Sequence, residues 1–106
     1  MRVIKKSKVL YWTRHSRDKM GYYRLSESRV KSVINYPDRV EEGIAPKTIA
    51  IMKAVTGVKH PYEVWVMVQE VKARRKIISA WRYPGQTSPG DPLPPEILAE
   101  LENVLE

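Results

Sequence analysis

His15 is the residue of this 106-residue chain best suited to chemistry at neutral pH. An imidazole with an unperturbed pKa of about 6.5 can both take and give a proton near pH 7. It stands in a basic segment, Thr13 to Pro37, beside Arg14, Arg17, Lys19 and Arg24. A second basic group, Arg74, Arg75, Lys76 and Arg82, lies downstream with Tyr83 next to it. A proton carrier among cations suits a phosphate-bearing partner, because the cations can hold charge that develops on phosphate oxygens. The candidate catalytic residues are therefore His15, Lys19, Arg82 and Tyr83. Arg14, Arg17, Arg24, Arg74, Arg75 and Lys76 are the candidate nucleic-acid contacts, and Tyr22 and Tyr83 are rings on which unpaired bases can stack.

Each of these residues also has a plainer reading. A histidine in the first turn of a helix commonly packs or caps, Lys19 and Arg17 fit a solvated helix face, and Arg74–Lys76 fits a hairpin turn. His60, before Pro61, reads as a turn residue. The chain has no cysteine, only two distant histidines and no His-x-x-x-His, so neither a metal site nor a cofactor is expected. It lacks a glycine-rich phosphate loop and a Gly-x-Ser-x-Gly elbow, which argues against a nucleotide hydrolase or an esterase.

Charge points the same way as the cations. Residues 1–85 hold nineteen bases and seven acids, a net +12, whereas residues 86–106 hold five acids and no base, a net −5. A basic body with an acidic tail predicts a polyanionic partner, and a tail able to compete for the same surface. With no cysteine, no secretory leader at the start and no apolar run of about 20 residues, the expectation is a cytoplasmic protein with no membrane partner.

The elements that would position these residues can be read in order. Lys8–Trp12 alternates as a strand, with the basic residues before it as an arm or extension. Thr13 is a suitable N-cap for a helix over 14–22, with Ser16, Met20 and Tyr23 as its inward stripe and Gly21 loosening its end. Ser26 caps a second helix to Asn35, Leu25 and Val30 form a staple across its start, and Pro37 stops it. Val30, Val33 and Ile34 should be buried. Thr48–Val55, Tyr62–Val71 and Lys76–Tyr83 read as an antiparallel meander, with turns at 56–61 and 72–75 and a central strand covered on both faces. Asp38–Gly43 is either a short strand or a crossover. Trp12, Trp65 and Trp81 should be core. The fold class is α+β in a domain of residues 1–85. Residues 86–106 form a proline-rich linker and a short helix over 96–105, whose apolar stripe should fold back on the body.

The opening Thr13-x-His15-Ser16-x-x-Lys19-Met20, then Leu25-Ser26, Val30 and Pro37, resembles the start of an uncharacterised bacterial family. That family is related to the BrnT toxins and has a RelE/ParE-like fold. Its opening typically carries alanine where this chain has Ser16 and arginine where it has Lys19. The resemblance covers about the first forty residues and continues as the meander. It implies a RelE/BrnT-like protein acting on RNA or ribosome-bound mRNA, as a metal-independent ribonuclease in which the ribose 2′-hydroxyl attacks its own phosphate. An acidic antitoxin protein would then be a partner. The alternative is a non-catalytic nucleic-acid- or protein-binding domain of the same fold. A helix-turn-helix reading of residues 14–35 lacks a third helix, because a sheet follows instead.

Overall fold

In the computed structural model, which describes residues 9–104, the elements run β1 (Val9–Trp12), α1 (Arg14–Tyr23), α2 (Glu27–Asn35), β2 (Arg39–Glu42), β3 (Thr48–Val55), β4 (Tyr62–Val71), β5 (Arg74–Pro84) and α3 (Pro95–Val104). The basic arm before β1 and Leu105, the last residue of the expected C-terminal helix, lie outside the described residues. One five-stranded sheet has the order β1-β5-β4-β3-β2. The fold is α+β, as read from the sequence. Asp38–Gly43 resolves into a strand that pairs antiparallel with β3.

The helix signals act as expected. Thr13 Oγ1 accepts from the Ser16 amide at 3.1 Å, and Ser26 Oγ accepts from the Arg29 amide at 3.1 Å, each satisfying an amide that the first turn leaves open. Leu25 and Val30 are buried in one cluster. Tyr36, next to Pro37, leaves the helical region with φ −134° and ψ 61°. The end of α1 is closed by Arg24, not by the glycine three residues earlier: Arg24 adopts φ 58°, ψ 50°, and its amide reaches back to Gly21 O and Met20 O, the left-handed cap geometry that glycine usually provides.

Both faces of the sheet are covered. On one face α1 and α2 place Met20, Leu25, Val30, Val33 and Ile34 against Ile51, Val64, Val66, Val68 and Ile77. On the other, Ile97 and Leu101 of α3 pack on Met52, Trp65, Met67, Ile78 and Trp81. Residues 64–68 of β4 are therefore buried without alternation, as a central strand between two layers requires. The apolar stripe of the last helix folds back as predicted. Trp65 and Trp81, opposite each other in the ladder, stack at 6.0 Å and 3° beneath it. Trp12 is partly buried, on the opposite face.

Two features went unforeseen. β1 pairs parallel to β5, from Val9↔Arg74 to Trp12↔Ile77, so the sheet is mixed. And β5 starts at Arg74, leaving Lys72 and Ala73 as the whole turn. Arg74 and Arg75, expected in that turn, are strand residues facing opposite sides.

Candidate nucleic-acid interface

Alternation along β1 decides which side chains the sheet offers to solvent. Leu10 and Trp12 pack toward the helix pair, so Val9 and Tyr11 project from the α3 side and are 65% and 49% exposed. Parallel pairing sets Tyr11 beside Lys76 and Val9 beside Arg74 on that same face. The Arg74 guanidinium lies 5.5 Å from the Tyr11 ring centroid. The helix α3 covers the rows built from Met52, Trp65, Met67, Ile78 and Trp81 and stops short of this end. Among the described residues, the sheet surface carrying Tyr11, Arg74 and Lys76 is left open. Lys72, in the adjoining turn, is exposed as well. An aromatic ring flanked by cations can stack a base and hold the phosphates on either side of it.

The other predicted residues are held elsewhere. Arg75 points to the helix side of β5, where its Nη2 and Nε lie 2.8 Å from Glu70 Oε2 across the hairpin. Arg17 donates to Glu27 at 2.8 Å and rests over Trp12. Arg14 and Arg24 are exposed. Lys19 donates to Glu100 of α3 at 2.8 Å, with its ammonium 5.0 and 5.6 Å from the Tyr22 and Tyr23 ring centroids. The Glu100 hydrogen bond raises the Lys19 pKa against the opposing effect of burial. Arg82 donates from Nε to Tyr23 O at 2.8 Å and from Nη2 to Arg24 O at 3.3 Å, closing the carbonyl end of α1. Tyr83 packs at the edge of the α3-side cluster. His15 is half-buried, with Nε2 out of solvent and without a hydrogen-bond partner. Of the stacking candidates, Tyr22 is the open one, 74% exposed.

Lys19 and Arg82 thus both serve α1, one tying it to α3 and the other capping it. Of the six residues predicted to contact nucleic acid, the structure gathers Arg74 and Lys76 and adds Tyr11, which the sequence marked only as a strand residue. The signal was present: Tyr11 breaks the apolar alternation of Leu10 and Trp12. Its value depended on which strand lay beside it.

Sequence reading also missed a buried polar network. Glu63 on β4 is 2% exposed. Its carboxylate accepts from Trp65 Nε1 at 2.9 Å and from the Thr87 amide and hydroxyl at 2.8 Å each. Arg39 donates to both Thr87 O and Thr87 Oγ1, lies over Trp65, and sets its Nε 3.0 Å from Glu41 Oε2. Glu41 in turn accepts from the Gly90 amide at 3.0 Å. These bonds fasten the proline-rich strap along the sheet and deliver α3 to its seat. Among the described residues no group of histidines and carboxylates could hold a metal ion, and no helix is long and apolar enough to cross a membrane.

Comparison with protein families, curated proteins and solved structures returned no match.

Proposed function

We propose that this chain binds single-stranded RNA on the open end of its sheet, with Tyr11 stacking a base while Arg74 and Lys76 contact the flanking phosphates. The observation that carries this reading is the co-location of that ring and those two cations on a sheet face that α3 leaves bare. The +12 charge of residues 1–85 supports it. We read the fold as RelE/BrnT-like, on the register from Thr13 to Pro37 and the order of strand, two helices and meander. Binding without turnover is favoured over a ribonuclease because the Lys19 ammonium is taken up by Glu100.

Fluorescence anisotropy with a labelled single-stranded RNA over 50–200 mM salt tests this. Affinity should fall steeply with salt, and Tyr11→Ala should weaken binding by about five- to a hundred-fold, the range for loss of one stacked base. Replacing Arg74 and Lys76 with glutamine should reduce the log–log salt slope by about 1.4, because each phosphate contact on a single strand contributes about 0.7. A flat salt response, or an unaffected Tyr11→Ala variant, would refute the reading. The RNA should remain intact throughout. Cleavage that disappears in His15→Ala would instead restore the catalytic version and put the His15 imidazole in it.

A further inference from the structure

At the other end of the sheet two arginines converge on one tyrosine. Arg29, in the first turn of α2, donates from Nη2 to the Tyr62 hydroxyl at 2.9 Å. Arg82 brings its guanidinium to 4.8 Å from the centroid of the same ring. Three elements meet here: the start of α2, the start of β4 and the end of β5. Arg24, whose carbonyl accepts from Arg82, is exposed alongside.

What sets this cluster apart is the absence of an acid. Three other cations that cross between elements meet carboxylates: Arg17 meets Glu27, Lys19 meets Glu100 and Arg75 meets Glu70. Among the described residues neither Arg29 nor Arg82 has a carboxylate partner, and Glu27, the acid in the first turn of α2, is taken by Arg17. Two guanidiniums drawn to one tyrosine repel each other unless an anion or a negative dipole offsets their charge. The carbonyl end of α1 supplies part of that for Arg82. For Arg29 the tyrosine is a neutral acceptor. Arg29 places Nη2 on the Tyr62 hydroxyl, and its fork of five N–H donors fits two oxygens of one phosphate. The hydroxyl of Tyr62 responds to the same field: the Arg82 guanidinium first, and Arg29 after it, hold its pKa below the ordinary tyrosine value against the effect of burial.

We infer that Arg29, Arg82 and Tyr62 form a binding site for a phosphomonoester dianion, with the two guanidiniums as the charge partners and the tyrosine that both of them contact as the third group. A dianion matches two fixed cations, whereas a phosphodiester offers a single charge. The site is separate from the Tyr11 face: Arg82 is six residues along β5 from Lys76, about 20 Å, and lies on the helix side of the sheet. It therefore stands or falls independently of RNA binding on that face.

The test is a titration of the full chain with inorganic phosphate, followed by amide chemical shifts at constant ionic strength. Shifts should cluster at Arg29, Tyr62 and Arg82. Affinity should rise about tenfold from pH 5 to pH 7.5, as inorganic phosphate gains its second charge across that range. Dimethyl phosphate, fixed at one charge, should bind at least tenfold more weakly at pH 7.5. Arg29→Gln should abolish the response, and because Arg29 lies outside the α1 cap that variant keeps the fold. Tyr62→Phe, which keeps the ring, provides a second variant and should weaken binding several-fold. Comparing 5′-phosphorylated and 5′-hydroxyl forms of one oligonucleotide then separates two sources. A preference for the phosphorylated end that is lost in Arg29→Gln makes the ligand a nucleic-acid terminus; equal binding, with inorganic phosphate still bound, makes it a small phosphorylated molecule. No clustered shifts with inorganic phosphate, or an unchanged response in Arg29→Gln, would overturn the site.

Discussion

Lys19 shows how a residue with the right chemistry can be claimed by the fold. On the helix it stands one turn after His15, as a phosphate-binding lysine would, yet its ammonium meets a carboxylate 81 residues away. Its side chain is 16% exposed, and Glu100 Oε1 is buried without a partner of its own. Lys19→Ala should therefore cost up to about 1 kcal/mol, as for a partly exposed ion pair, read as a lower midpoint in thermal unfolding. The pH dependence follows from the direction of the shift. The folded pKa of Lys19 lies above its unfolded value, so the stabilisation is fully present below the unfolded pKa and disappears as pH rises through the folded one. Wild type and Lys19→Ala should thus differ at neutral pH and converge in strongly alkaline solution. A difference that persists there would exclude the ion pair as its source. No sequence pattern couples Lys19 to Glu100, nor Arg82 to the Tyr23 carbonyl, because these partnerships exist only after the sheet has formed. That is why residue types and local spacing found the cations but could not tell the occupied ones from the open ones.

At the scale of elements, reading was most successful where the signal is local. β3 and β4 begin and end where their β-branched and aromatic runs do, and α1 and α2 start at their hydroxyl caps. The strap from Gly85 to Pro94 looked like a linker because its prolines and glycines carry no periodicity. Its anchorage depends on Glu63, an acid within an apolar strand, whose meaning appears only when Thr87 arrives beside it. Glu63→Leu should remove both the strap contacts and the Trp65 bond, leaving the Thr87 hydroxyl to Arg39 alone. A loss of about 3 kcal/mol is expected, with faster proteolysis between Gly85 and Pro94. The helix that the strap carries is core. Leu101 is fully buried, so Leu101→Ala should cost about 2–5 kcal/mol, as for a leucine removed from a packed interior. Truncation after Gly85 should uncover Trp65 and Trp81 and promote binding of a hydrophobic dye. Native-like stability of the truncated chain would show that α3 is dispensable. An acidic tail suggested a removable cover for the basic surface; the structure instead places its apolar side on the tryptophan pair, with Glu100 as a local counter-charge for Lys19.

For the molecule as a whole, the α+β class was legible because helical and strand periodicities occupy separate stretches. The layering was legible too, because β4 is apolar on both faces. The edge order was not. Antiparallel neighbours announce themselves by short turns, whereas the parallel pairing of β1 with β5 joins Val9 to Arg74 with no local trace. That pairing also places Tyr11 among its cations, so the binding face went unseen for the same reason. It has a consequence for how the protein is made. α1 packs chiefly on β5, and Thr13 donates to Ile77 O at 2.7 Å, so the first quarter of the chain finds its seat only when the last strand has been synthesised. On the ribosome, β1 and α1 must wait unpaired until β5 arrives, whereas α2 can already dock on β3 and β4. Such distant closure makes for folding in milliseconds to seconds. Nascent chains halted at Val71 should remain protease-sensitive between Val9 and Tyr23. Chains long enough to release β5 and α3 should become protected there in a single step.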